Sequence, residues 1–341
     1  MNLKELAAQL SLSKATVSRA LAGHSDISAQ TRERVRKAAD AAGYIPAATA
    51  LKLRSGKTGA LGIVMPHGPT PFEHPIHTEL IGGMAERVAE SGLDLIVTVP
   101  PPHGDEVTAI RRLVEGRRVD GIIVTRTRLT DERVDYMLEK RFPFVTFGRT
   151  PVCDRHPWLD IDGHAAMLNA TRRLIAFGHR HIAHISAPSM FMFSGYRRTG
   201  FHKAMAEAEL PVDARLTLVA DLAGEFAIEP IVELLTANPH VTALLCDTDA
   251  MAMSALKAVR RIGKAPGREI SVIGYGDMPF AGQSEPALTT SGFRVRAAGR
   301  RLIEMLMQHQ AGAPLESLQE LWQPHLLVRQ SDGACRKAQA I

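Results

Sequence analysis

Cysteine is scarce: the 341-residue chain has three, Cys153, Cys246 and Cys335. They are odd in number, far apart and without metal-type spacing, so no disulfide framework is expected and a reducing cytosol is the expected compartment. Long apolar runs are missing too. None approaches the roughly 18 residues of a membrane span, and the positions around Leu3 already follow a helical pattern, so neither membrane insertion nor a signal peptide is expected. Enzyme signatures are lacking: there is no G-x-S-x-G elbow and no G-x-G-x-x-G turn. Gly56-Lys57-Thr58 has the ending of a phosphate loop, but Leu51 stands where that loop needs glycine, and the strand follows the motif instead of preceding it. No cofactor and no enzymatic activity are expected.

Basic charge is present, and it is segregated. Residues 1–57 hold 10 Lys and Arg against 4 Asp and Glu, or +6, and residues 58–341 hold 31 against 32, or −1. The excess coincides with a helical N-terminal segment, as binding to a phosphate backbone requires. In that segment Leu3, Leu6, Ala7 and Leu10 share one helix face. A second short helix follows, capped by Ser13, with Ala15, Val17, Ala20 and Leu21 as its apolar positions and Lys14, Thr16, Ser18 and Arg19 polar. Ser28 caps a third helix with Val35, Ala38, Ala39 and Ala42 inside and Gly43 as its stop. A helix-turn-helix of this size fits the DNA major groove, and a helical hairpin that caps a domain is the alternative.

From Ala60 short β-rich runs alternate with helical ones. Strands are expected near 60–65, 93–99, 119–125 and 143–148, then near 181–186, 215–220, 242–247 and 269–274. Helices are expected near 77–91, 105–115, 131–140, 163–177, 196–209, 224–236 and 249–262, with a strand and long helix in 289–310 and a last strand near 325–330. Two successive runs of this kind imply two parallel-sheet lobes, with a ligand pocket between them beyond the carboxyl ends of the strands.

The runs LSLSKATVSRAL, SAQTRERVRKAADAAGYIP and ALKLRSGKTGALGIVMP occur in order, and on them the chain closely resembles the LacI/GalR family of transcription regulators. The resemblance implies an α/β protein with an all-α helix-turn-helix headpiece (1–47), a hinge helix or linker (48–58) and a two-lobed, periplasmic-binding-protein-like effector and dimerisation domain (59–341). Lobe 1 is expected at about 59–160 and 291–323, and lobe 2 at about 161–290 and 324–333, with three crossovers. Leu53 matches the family leucine that wedges into the minor groove, where an apolar insertion offsets unstacking with a kinked, better-contacted duplex. An ordinary flexible linker is the other reading of that segment. Lys14 and Arg19 suit guanine N7 and O6 and Ala15 a thymine methyl, whereas Thr16 and Ser18 suit phosphates or the turn.

For the effector, the segment SGYRRTGF resembles the family's R-x-x-G-[FWY] signature, which makes Arg197 a forked donor to a ligand, with Arg198 a chemical competitor. LLCDTDAMAMSAL resembles C-x-N-D-x-M-A, giving Thr248 and Asp249, with Thr248 in place of the usual Asn. In VIGYGDMPF, Gly276 replaces the first aspartate of G-[YF]-D-D and leaves Asp277, which either faces the pocket or caps a turn. Phe226 falls at a ligand-stacking position or in the core. The loop PTPFEHPIH offers Phe72 and His74, and strand ends offer Thr125 with Arg126, and Arg149. His179, His181 and His184 lack a fourth ligand at metal spacing, so no metal is expected.

The expected protein is a cytoplasmic regulator, most often a repressor in this family, that binds a pseudo-palindromic operator as a homodimer. A small molecule in the cleft controls it, a sugar such as an α-glucoside by family frequency, with a purine or other metabolite as the alternative. A solute-binding protein without DNA function and a sugar-acting α/β enzyme are the rivals from other classes. Beyond Ser331 no heptads remain for a tetramerising coiled coil.

Overall fold

A computed structural model describes residues 1–21, 23–44, 57–65, 75–101, 104–224 and 227–335. The chain divides into two compact units, Met1–Gly59 and Ala60–Ile341.

The first unit holds α1 (Leu3–Gln9), α2 (Lys14–Leu21) and α3 (Ala29–Ala41). Asn2 caps α1 in a capping box with Glu5. Ser13 Oγ accepts from the Thr16 amide at 3.0 Å, and Ser28 Oγ accepts from Thr31 at 3.2 Å. Leu6, Ala7, Val17, Ala20, Val35 and Ala39 form the core, with Leu3, Leu10, Ile27 and Tyr44 packed against it. One assignment changes: Ala15, counted above among the apolar positions of α2, is exposed beside Lys14, whereas Val17, Ala20 and Leu21 pack inward.

The second unit has two six-stranded sheets. The first lobe contains β1 (Ala60–Val64), β2 (Asp94–Thr98), β3 (Gly121–Thr125), β4 (Phe144–Phe147), β5 (Trp158–Ile161) and β11 (Gln319–Trp322), with α4 (Pro75–Glu90), α5 (Glu106–Glu115), α6 (Glu132–Lys140) and α12 (Val295–Gln310). Its strand order is β11-β5-β4-β3-β1-β2, all parallel. The second lobe contains β6 (Ile182–Ser186), β7 (Thr217–Val219), β8 (Ala243–Cys246), β9 (Ser271–Gly276), β10 (Thr289–Gly292) and β12 (His325–Leu327). With them go α7 (Gly163–Ala176), α8 (Met192–Glu207), α9 (Ile228–Ala237), α10 (Asp249–Arg261) and the short α11 (Pro279–Gln283). Its order is β12-β10-β9-β8-β6-β7, with only β12 antiparallel. Fully buried strands such as Ala60–Val64, Gly121–Thr125 and Ile182–Ser186 are what helices on both faces of a parallel sheet require.

Four expectations need correction. Trp158–Ile161, read as a boundary, is a strand, and the short mixed run Gln319–Trp322 is another that was not anticipated; as an edge strand it pairs only with β5 and needs no apolar alternation. The strand expected from 215 begins at Thr217, because Asp213 caps a 3-10 turn over Ala214–Leu216. Helix α8 begins at Met192, four residues earlier than expected. Because Ile161 and Trp322 belong to the first sheet and Thr289–Gly292 to the second, the chain crosses between lobes after 161, 292 and 322, each one or two residues from an expected boundary.

The placement of α8 against α7 depends on Gly200, where an added Cβ would lie 2.2 Å from the His164 carbonyl oxygen. Gly195 on the same helix faces open space. Gly200→Ala should therefore destabilise the fold by about 1–3 kcal/mol through overpacking, whereas Gly195→Ala should stabilise it by about 0.5–1 kcal/mol through helix propensity. Parallel urea melts check the pair; equal effects would show that the α7–α8 approach imposes no steric demand.

Candidate functional site

The carboxyl ends of the strands from both lobes face a cleft of about 880 Å³, its open mouth included. The first lobe contributes Thr125, Arg126 and Thr127 after β3, Phe147 to Arg149 after β4, and Asp160 with Ile161 from β5. The second contributes Met192, Phe193 and Arg197 from the first turns of α8, Thr248 after β8, and Tyr275 with Gly276 from β9. Phe293, on the crossing between β10 and α12, closes one side.

Arg197 is the best-fixed polar group in this cleft. Its guanidinium lies 3.7 Å from the Tyr275 ring centroid and 4.4 Å from that of Phe193, and Nη1 donates to the Asp247 carbonyl. Arg197 is 8% exposed, yet its Nε has no partner. A flat cation held between two rings keeps its remaining N–H groups in one plane, the geometry for a forked contact to paired oxygens.

Asp247 holds the strand ends behind it. Its carboxylate accepts from His184 Nε2 at 2.9 Å, the Ala187 amide at 2.7 Å and Ser186 Oγ at 3.3 Å. Burial alone would raise this carboxyl, but His184, Arg197 and the Ala187 amide hold it below the usual carboxylate range. The other histidines of the GHRHIAHIS run are structural as well. His179 bonds Thr242 and Ser271 Oγ at 2.9 and 3.0 Å, and His181 packs edge-on against His240.

Across the cleft, Arg149 Nε donates to Asp160 at 2.8 Å and its guanidinium lies 4.0 Å from the Tyr196 centroid. Burial pushes the Asp160 carboxyl up, with Arg149 opposing it. The lobes also meet at the cleft edge. Met192 N–H donates to the Thr127 carbonyl at 3.0 Å and Leu129 N–H to the Met190 carbonyl at 2.9 Å, an antiparallel bridge centred on Arg128 and Phe191.

Of the residues singled out in the sequence, Thr125, Arg126, Arg149, Arg197 and Thr248 come together in the cleft. Thr248 also caps α10, accepting from Met251 N–H at 3.1 Å and donating to the Leu222 carbonyl at 3.2 Å. Asp249 and Asp277 are not part of the lining. Asp249 accepts from Thr290 Oγ1 at 2.5 Å and Met278 N–H at 2.7 Å, and Asp277 pairs with Arg329 at 2.6 Å. Phe72, His74, Phe226 and Leu53 lie outside the described residues. Lys14, Ala15 and Arg19 are exposed on α2 and Thr16 and Ser18 half-buried; Thr16 Oγ1 bonds Ser13 Oγ at 2.8 Å, and Arg19 pairs with Asp26. Sequence reasoning missed Asp160, Phe193 and Tyr275. The WLDI run carried a signal for the first, once it is recognised as a strand whose end opens on the cleft.

The comparisons decide the class. Residues 2–47 match the bacterial regulatory proteins of the lacI family, and residues 171–331 match the periplasmic binding protein-like domain. The HTH-type transcriptional regulator AglR of Rhizobium meliloti (strain 1021) is 34% identical over 98% of this chain and 94% of its own length. RafR of Escherichia coli, another regulator of this type, is 34% identical over 95% and 96%. The chain belongs to the lacI family. It is therefore a DNA-binding transcriptional regulator, the non-enzymatic class expected from the sequence. Among solved structures, a complex of the transcriptional regulator CelR with cellobiose superposes with a TM-score of 0.74 at 26% identity, covering 96% of this chain and 99% of that one. The lac repressor dimer bound to operator shares the fold, with a TM-score of 0.83 at 23% identity over 98% and 99%.

Two measurements test this geometry. Met192 is the first residue of α8 and follows an extended Phe191 (φ −86, ψ 134), a position that accepts proline. Met192→Pro should thus delete the inter-lobe N–H while keeping the helix. The Leu129 amide should then exchange hydrogen about 5-fold faster than in Met192→Ala, the worth of roughly 1 kcal/mol. Equal rates in the two variants would show that the bridge does not hold the lobes.

Burial raises the Asp249 carboxyl to about 6, with Thr290 and the Met278 amide opposing the rise. A carboxyl raised by folding contributes stability that is fully present below its unfolded value near 3.8 and lost as pH rises through about 6. The melting temperature of Asp249→Asn should accordingly change less favourably toward low pH than the wild type's. Parallel slopes between pH 4 and 7 would refute the assignment.

Proposed function

We propose that the regulator acts in the cytoplasm as a homodimer on a pseudo-palindromic operator, most simply as a repressor, and that a sugar in the cleft sets its affinity for DNA. Residues 1–47 would read the operator, 48–58 would serve as the hinge, and 59–341 would sense the effector and dimerise. The observation that carries the sugar reading is Arg197, held flat between Phe193 and Tyr275 with an unpartnered N–H in a cleft that also offers the unpartnered Thr125 hydroxyl. Aromatic faces suit the apolar faces of a pyranose, and a forked donor suits vicinal hydroxyls. The CelR–cellobiose complex shows that a similar fold can hold a disaccharide. Sugars are frequent effectors in the resembled family, and within that class we place an α-glucoside first.

On α2, Lys14, Ala15 and Arg19 are assigned to base edges, and Thr16 and Ser18 to phosphates or the turn. Their support is that the first three are exposed side by side while Val17 and Ala20 face the core. The Arg19–Asp26 pair is half exposed on both sides, and such a pair is worth little, so DNA can displace Asp26 cheaply.

Enrichment of duplexes from a randomised library, followed by fluorescence anisotropy, tests the reading. The full chain should enrich an inverted repeat, and Lys14→Ala should weaken binding to it by about 1–3 kcal/mol, the worth of a good base contact. Arg197→Ala should bind the repeat as the wild type does and ignore the sugar that shifts the wild type. Enrichment of no sequence, with or without sugars, would reject the reading.

A further inference from the structure

The first lobe contains a buried ionic cluster that the sugar reading does not use. Arg133, 2% exposed, forks onto Asp131 at 2.8 and 2.7 Å and reaches Glu106 at 2.5 Å; Arg128 takes the other Glu106 oxygen at 2.5 Å. Burial would raise the Asp131 carboxyl, but Arg133 holds it below the usual range. Buried ion pairs are weak stabilisers because desolvation consumes most of their attraction, so their geometric effect matters more. Here that effect is specific. The same Arg133 guanidinium donates to the carbonyls of Thr125 and Arg126, both at 3.1 Å.

Those two carbonyls belong to the turn that leaves β3 and enters the cleft. Arg126 has φ +51, a left-handed conformation that a side chain other than glycine rarely adopts, and such strain persists where its surroundings over-determine it. The product is an unusual pair. The Arg126 side chain has no hydrogen-bond or ion-pair partner among the described residues, although burial lowers its guanidinium to about 10, with Glu106 opposing the fall. The Thr125 hydroxyl beside it is buried and has no partner either. Among the described residues, the carboxylates at this end of the lobe are engaged by other arginines: Asp160 by Arg149, Asp131 by Arg133, and Glu106 by Arg128 and Arg133.

We propose that the Thr125–Arg126 turn is an anion subsite of the effector cleft, taking the carboxylate or phosphate oxygens of an acidic sugar. The subsite rests on the sugar reading only for the rest of the ligand. Arg126 supplies charge and a fork, Thr125 supplies one hydroxyl donor, and the buried cluster serves to position both. A desolvated arginine with no hydrogen-bonded partner of its own, and with Glu106 already shared by Arg128 and Arg133, is costly, and an anion removes that cost while a hydroxyl removes only part of it.

The test uses the full chain at fixed ionic strength and neutral pH, with inorganic phosphate, glucose, glucuronate and glucose 6-phosphate as probes in thermal-shift titrations. Inorganic phosphate should stabilise the wild type, and Arg126→Met should bind it at least 10-fold more weakly. Arg126→Lys, which keeps the charge and loses the fork, should fall between them and guards against a folding artefact. One acidic sugar should bind the wild type at least 10-fold tighter than glucose, and which of the two does so separates carboxylate from phosphate. The proposal is overturned if Arg126→Met responds to phosphate as the wild type does, or if neither phosphate nor an acidic sugar outperforms glucose. Phosphate binding through Arg126 with no response to any sugar would sustain the subsite and overturn the sugar reading instead.

Discussion

The second lobe is organised by the burial of one carboxylate. Asp247, at the end of β8, takes hydrogen bonds from His184, Ser186 and the Ala187 amide, and so ties the end of β6 to the end of β8. Its main-chain carbonyl then receives Arg197 from α8. An unpaired buried carboxylate would be expensive, so these donors are obligatory, and their positions fix where the arginine can lie. The ring contacts of Phe193 and Tyr275 and the close approach of α8 to α7 at Gly200 are the remaining constraints on that side chain. Removing any of them loosens the same guanidinium.

The first lobe uses a parallel device. Arg133, with Asp131 and Glu106, clasps two carbonyls at the end of β3 instead of one at the end of β8. In both lobes a charge buried behind a strand end shapes the backbone that borders the cleft. Neither arrangement is a good source of stability, since apolar packing of the same volume would do as well. What each provides is a defined direction for the next side chain along the chain.

Much of this fold was legible in the sequence because its signals are local. The three headpiece helices could be read from caps and apolar spacing, and most body strands from short β-rich runs between helical ones. The edge strand Gln319–Trp322 could not, since its partner lies more than 150 residues away and its four residues, two polar then two apolar, show no alternation. The site divides in the same way. Arg197 was visible through a motif and Thr125 and Arg149 through their place after strands. Asp160 and Tyr275 became visible only once register placed their strand ends on one cleft. Asp249 and Asp277 show the converse, because motif position alone cannot tell a ligand contact from a carboxylate already satisfied by Thr290 or Arg329. Arg126 was noticed beside Thr125, but nothing local announces that Glu106, Asp131 and Asp160 are each engaged by other arginines.

The repeated crossing between lobes has a consequence for how the molecule is made. β11 finishes the first sheet and β12 the second, and both lie within residues 319–327. A nascent chain that has emerged as far as α12 still has an open edge on each sheet: β5 on one and β10 on the other. Synthesis proceeds at roughly 5–20 residues per second, and exposed strand edges are templates for pairing with other chains. The two sheets of the receptor are thus completed together, only once residues 319–327 have been made.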